Sequence, residues 1–227
     1  KNGVLWLHLD YKEEQTQEWF SEESGLDPII VEALLAEDTR PRCTPYRNGQ
    51  LIILRGVNLN PGADPEDMIS VRLWIEESRI ISFRHRKVMA IDDIRQAIEA
   101  GDGPIASGDF LAHLTMGLAY RIGNVITQVD DAVAALEDEV IEQGSYEHRS
   151  RLSALRRQII RLRRYLSPQR EVMTRLVTDK ISFLSDSDRI HLRETAEHIT
   201  RYVEDLDSAK DRAAVCQEEL ESRMGAQ

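Results

Sequence analysis

From Asp109 onward the apolar residues recur in strides of three and four, and this restricts the fold more than any other feature of the chain. Leu111, Leu114, Leu118, Ile122, Val125, Val129, Leu136 and Val140 keep the stride, with one step of seven, until Gly144 breaks the run. At 3.6 residues per turn that is a helix of about nine turns. A second series, Leu152, Leu155, Ile159, Leu162, Leu166, Met173 and Leu176, passes through Pro168, which lacks an N–H donor and should kink the helix. The third, Leu192, Ala196, Ile199, Val203, Leu206, Ala213, Leu220 and Met224, follows a near-heptad repeat over roughly four heptads. Helices this long exceed the globular average of about a dozen residues and bury an apolar stripe only against neighbours along their length. The expected arrangement is an antiparallel hairpin followed by a last helix that the chain leaves unfinished.

The first hundred residues read differently. Val4–Leu9, Leu51–Leu54, Met68–Ile75 and Ile80–Phe83 are short runs rich in branched and aromatic residues, bounded by turn signals at Asn48-Gly49, Asn60-Pro61-Gly62 and Glu77-Ser78. They predict a sheet. Helices are expected from about Glu13 to Glu23, from Pro28, where Asp27 serves as cap ahead of the periodic Ile30, Leu34 and Leu35, and from Ala90 to Ala100. The pattern changes at Gly101-Asp102-Gly103-Pro104. An α+β chain follows: a layered sheet domain over residues 1–105, then a long-helix region over 106–227 with its last helix from about residue 186.

Apolar residues make up 41% and charged residues 30%, the balance of a water-soluble protein with long solvated helices. The longest apolar stretches, such as Ala132–Leu136, fall far short of the roughly 20 residues of a membrane helix, and no signal-peptide pattern is present. The chain starts at Lys1 and stops at Gln227 within a helical pattern, so both ends read as boundaries cut from a longer protein. A net charge of -11 argues against nucleic acid as a partner and suits cations or a basic partner. Cys43 and Cys216 have neither the number nor the spacing of a disulfide framework or a CxxC site, and read as reduced cytosolic thiols.

Charge is segregated along the helices. Asp130, Asp131, Glu137, Asp138, Glu139 and Glu142 crowd the end of the first long helix; Arg149, Arg151, Arg156, Arg157, Arg161, Arg163, Arg164 and Arg170 follow directly after the turn. Three readings stand: ion pairs that align the hairpin, an arginine face that binds an anion, and an acidic face that concentrates cations. For metal ligation, His191, Glu194 and His198 share one helical face at spacings of three and seven, although zinc wants three or four ligands and a neighbour would have to complete the set. Cys216 and Glu219, three apart, offer a thiolate and a carboxylate to a metal shared between subunits, against the simpler reading of a thiol packed in a helix seam. His113, beside the apolar stripe, reads as a core or interface histidine. The chain contains no HExxH, GxSxG or GxxxxGK motif, and Asp92 and Asp93 fall in the first turns of a helix, where its dipole favours negative charge. No enzyme and no organic cofactor is expected.

Two stretches resemble a known family. Glu37-Asp38-Thr39-Arg40-Pro41-Arg42, with Tyr46 and the strand Leu51-Ile52-Ile53-Leu54-Arg55, is similar to the acidic-x-Arg-Pro-basic segment of CorA-like divalent-cation transporters. Leu155-Arg156-Arg157-Gln158 through Arg163-Arg164-Tyr165-Leu166-Ser167-Pro168-Gln169-Arg170-Glu171 resembles the kinked helix of their ZntB zinc-transport branch, and Arg86-Lys87-Val88 extends the likeness over nearly the whole chain. The resemblance implies an α/β/α-layered, funnel-shaped cytoplasmic domain on the inner bacterial membrane. It further implies a homopentamer, with zinc or another divalent cation as cargo and a C-terminal stalk helix running toward membrane helices that lie beyond this chain. A CorA-type magnesium or cobalt transporter is the nearest alternative, and a soluble helical scaffold or interaction protein the alternative of another class. The family's Gly-x-Asn pore signature follows its first membrane helix, so Gly56-Val57-Asn58, at the end of a short strand, is not expected to be it.

Overall fold

The computed structural model describes residues 3–142 and 145–225, so the break expected at Gly144 and the boundaries expected at Lys1 and Gln227 lie outside the described residues. In chain order come β1 (Leu5–Asp10), α1 (Glu14–Glu22), α2 (Pro28–Leu35), β2 (Arg42–Tyr46), β3 (Gly49–Gly56), β4 (Ile69–Ile75), β5 (Arg79–Arg84) and α3 (Met89–Ala100). Three long helices follow: α4 (Ser107–Glu142), α5 (Tyr146–Thr178) and α6 (Asp186–Gly225). The strands form one mixed sheet in the order β1-β5-β4-β3-β2, with β1 parallel to β5 and every other pair antiparallel.

Successive side chains of a strand point to opposite faces, and here both faces are buried. Leu51, Ile53, Trp74, Ile81 and Phe83 meet Phe20, Ile30 and Leu34 of α1 and α2 on one side. Their neighbours Ile52, Leu54, Leu73, Ile75 and Ile80 join Ile91 and Ile94 of α3 and Leu114 and Leu118 of α4 on the other. This double burial explains why the strands read as apolar runs, and it produces the expected α/β/α layering. The strand β2 was not expected. Pro45, opposite Gln50, cannot donate to a ladder, and only an outermost strand such as β2 tolerates it.

Capping fixes where helices begin. Asp27 Oδ1 accepts from the Ile29 amide at 3.0 Å, with Pro28 in the first turn of α2. At the start of α6, Ser185 and Asp188 exchange bonds: Asp188 Oδ2 accepts from the Ser185 amide at 2.9 Å, and Ser185 Oγ accepts from the Asp188 amide at 3.1 Å. Arg189 then donates to the carbonyls of Val177, Asp179 and Ile181, tying the end of α5 to the start of α6. Gly108 makes this junction possible, because a Cβ there would lie 2.7 Å from the Phe183 carbonyl oxygen and 2.1 Å from Asp188 Oδ2. The helix α5 stays continuous through Pro168.

The third helix changes the picture of a simple hairpin. Along its length α6 packs on both α4 and α5, which touch each other far less. Leu192, Ile199, Val203, Leu206, Ala213 and Leu220 are buried in the seam with Ile122, Val129 and Leu136 of α4 and Ile159, Leu162 and Leu166 of α5. No helix among the described residues is long and apolar enough to cross a membrane.

Candidate functional site

The acidic end of α4 and the arginine face of α5 do meet, but largely through α6. Arg151 of α5 pairs directly with Glu139 of α4, and His148 Nε2 lies 3.2 Å from the same carboxylate. The other links run through the third helix. Arg212 of α6 takes Asp130 at 2.8 Å and Glu137 at 2.6 Å, while Asp207 of α6 takes Arg163 at 2.5 Å. The hydrogen bond from Arg212 holds the Glu137 carboxyl below its usual range, and that from Arg151 does the same for Glu139. Asp131, Asp138 and Glu142 stay exposed, with no basic group within ion-pair distance among the described residues.

On α6, His191, Glu194 and His198 are all exposed, as their shared helical face requires. His191 Nδ1 bonds the Ser187 carbonyl at 2.9 Å and His198 leans on the Tyr202 ring at 6.3 Å. Cys216 instead faces the seam, with Sγ 3.8 Å from the Leu136 carbonyl oxygen, and burial raises its thiol pKa. Glu219 points outward to Arg223 at 2.5 Å. Among the described residues no three His, Cys, Asp or Glu side chains stand close enough together to hold a metal ion. His113 is exposed and bound to Asp109 at 3.0 Å, so of the core and interface readings the core one is corrected.

Sequence reasoning missed a feature opposite the seam. Glu197, Glu204, Asp211 and Glu218 recur every seven residues, all exposed and none in an ion pair among the described residues. Two helical turns separate each from the next, so they form a file of carboxylates along α6. The signal was the same heptad that marked the apolar seam, read two positions earlier.

The two stretches that carried the family resemblance converge on Arg55. Beyond Ile53, the partner of Arg42, β2 no longer covers β3, so the outward amide and carbonyl of Arg55 would be orphaned. Gln169 of α5, only 2% exposed, replaces the missing strand: its Oε1 accepts from the Arg55 amide at 2.6 Å and its Nε2 donates to the Arg55 carbonyl at 3.0 Å. The Arg55 guanidinium donates to the carbonyls of Thr39 and Met68 and lies 4.2 Å over the Tyr165 ring. Arg72, 2% exposed in the middle of β4, donates to the carbonyls of Leu34 and Ala36 at the end of α2. The sequence signal for Arg72 was an arginine in the apolar run Ile69–Ile75.

Gly56-Val57-Asn58 has a local explanation. A Cβ at Gly56 would lie 2.9 Å from Leu118 of α4, and the buried Asn58 accepts from the Asn60 amide and side chain. The tripeptide ends β3 and shapes the turn.

The model of the family described as CorA-like Mg2+ transporter protein matches residues 1–227. The chain belongs to that family. The zinc transport protein ZntB of Yersinia enterocolitica is 36% identical over 219 residues, which cover 96% of this chain and 67% of that protein. The full-length CmaX protein superimposes with a TM-score of 0.90 at 35% identity, covering 98% of this chain and 70% of that one. The ZntB cytoplasmic domain from Vibrio parahaemolyticus superimposes at 0.88 and 25% identity, covering 98% and 88%. The superposition on the ZntB cytoplasmic domain bears out the fold expected from the resemblance, and membership of a transporter family agrees with the expectation that the chain is not an enzyme.

Proposed function

We propose that this chain is the cytoplasmic funnel domain of a homopentameric zinc transporter, comprising a sheet domain over 1–105, a helical region over 106–227 and α6 as the stalk. The observation that carries the reading is the agreement, over almost the whole chain, with a zinc transport protein in sequence and with a ZntB cytoplasmic domain in fold. The file of carboxylates on α6 supports an ion-collecting role, because like charges along one face raise the local concentration of cations. His191, Glu194 and His198 adjoin that file and would hold zinc weakly until a neighbouring subunit completed the set. Cys216 and Glu219 would serve only after the thiol left its seam. Assembly and gating belong to the same role, since a stalk packed along two helices transmits movement of the sheet domain.

Metal uptake by the full-length protein tests the reading. Zinc should accumulate in preference to magnesium and cobalt, and native mass spectrometry should show five copies. The His191→Ala/His198→Ala variant should weaken zinc binding to the domain without unfolding it. Transport of magnesium or cobalt alone would assign the CorA-type role. No transport, with no pair of apolar segments encoded after residue 227, would favour a helical scaffold.

A further inference from the structure

A cavity of about 630 Å³ opens between β3, β4, α5 and the segment after β5. Its size falls within the roughly 300 to 1,000 Å³ typical of small-ligand sites. Arg55, Arg72, Arg86 and Arg164 line it, and none has a carboxylate within ion-pair distance among the described residues, in a chain whose net charge is -11. We propose that this cavity binds a small phosphate-bearing anion.

Three observations converge. The Arg72 guanidinium is buried, and its partners are neutral oxygens of Leu34, Ala36 and Ser70, so Nε and Nη1 are bonded but the charge is uncompensated. A buried cation without a counter-charge is costly, and an anion in the cavity would offset that cost. Burial, and then Arg55, lower the Arg72 pKa to about 10, still far above neutrality, so the charge persists. The second observation is a pair of unused polar atoms: Arg55 Nε and His85 Nε2 are buried in the wall without a hydrogen-bond partner among the described residues. Burial, and then Arg72, lower the His85 pKa, and in the neutral ring Nε2 donates or accepts according to its tautomer. Third, the wall carries five arginines against three carboxylates, so its net charge is positive. Asp67 pairs with Arg161 at 3.2 Å and Glu66 accepts only from the neutral Gln158 at 3.4 Å, so Arg161 is the one arginine of the wall in an ion pair among the described residues. Guanidinium forks match phosphate oxygens bidentately, and the exposed, unpaired Arg86 and Arg164 are free to make such a contact, with Arg55 held on Tyr165 and keeping Nε as its unused donor.

Arg86 and Arg164 are exposed, so their removal leaves the core intact. The test is calorimetry and thermal unfolding of the 227-residue chain at constant ionic strength, with pyrophosphate, inorganic phosphate, ATP and, as control, chloride. Saturable pyrophosphate or ATP binding should raise Tm and weaken about tenfold or more in Arg86→Gln/Arg164→Gln. Arg149→Gln, on the exposed start of α5, should leave it unchanged. ATP binding tighter than pyrophosphate identifies a nucleotide as the source of the phosphate; the reverse identifies an inorganic one. Absence of saturable binding at millimolar probe, equal binding in the double variant, or an effect reproduced by chloride would overturn the proposal. Zinc selectivity has no bearing on any of these outcomes.

Discussion

Arginine is used in two ways in the two halves of this molecule. In the bundle, Arg151, Arg163 and Arg212 reach carboxylates of neighbouring helices at partly exposed positions. At the sheet, Arg55 and Arg72 are turned inward and reach backbone carbonyls. Exposed pairs contribute about 0 to 1 kcal/mol each, so the bundle's arginines set register and its apolar seam supplies the stability. A guanidinium among carbonyls carries its charge into a region of low dielectric and anchors chain segments that would otherwise have unpaired groups. The bundle is therefore a packed object with a charged exterior, and the sheet corner a polar object with a packed exterior.

The largest effect should come from breaking the seam. Leu206 is fully buried in α6, and Leu206→Ala should lower the unfolding free energy by about 4 kcal/mol, read from urea denaturation, because the lost burial and the cavity left behind add. A loss below about 1 kcal/mol would mean that the charged exterior holds the bundle after all. At the sheet corner Gln169→Leu keeps the volume and removes both bonds to Arg55, leaving two backbone groups unpaired. It should cost about 2 to 3 kcal/mol and raise hydrogen exchange at the Arg55 amide specifically.

The contrast also explains what could be read from the sequence. The strides of three and four placed α4, α5 and α6 to within a few residues, because an apolar stripe is a local pattern with one physical meaning. That α6 would intervene between α4 and α5 was not legible, since heptad seams state that a helix has partners and not which ones. Gln169 and Arg72 lay in plain view, but a glutamine in a helix acquires meaning only when the end of β2 exposes Arg55, and an arginine in a strand only when the end of α2 brings the Leu34 and Ala36 carbonyls to it. His191, Glu194 and His198 were legible as a shared face, and that is all a single chain shows of them.

A third prediction concerns the other edge of the sheet. Trp6 Nε1 donates to Ser82 Oγ at 2.8 Å, and Ser82 Oγ lies 2.8 Å from His8 Nδ1, so the serine hydroxyl can donate to a neutral imidazole. Burial, reinforced by Arg84, lowers the His8 pKa to about 4, against the opposing pull of Asp92 and Asp10. The unfolded chain, with a histidine pKa near 6.5, binds the proton more readily between those two values. The contribution of His8 is thus complete above pH about 6.5 and falls away as pH drops to about 4. About 2 kcal/mol should be lost across that window, allowing for partial exposure of the ring. Urea midpoints measured across it should flatten in His8→Gln, whereas bundle variants should keep the slope.

The smallest effect should come from Arg212, the bundle arginine that pairs with two carboxylates. Arg212 bridges Asp130 and Glu137 on α4 from α6, yet all three side chains are about one third or more exposed. Its removal in Arg212→Ala should cost below about 1 kcal/mol in dilute buffer, and raising salt toward 1 M, where the Debye length shrinks to about 3 Å, should erase most of even that. Gln169→Leu should show no such salt dependence, because its lost bonds are buried and uncharged. A double variant of Arg212→Ala and Gln169→Leu should then lose the sum of the two to within about 0.5 kcal/mol, as expected for sites with no shared partner. Strong coupling between them would mean that the sheet corner feels the register of the bundle, and the division between the two halves would have to be redrawn around α5, which both of them share.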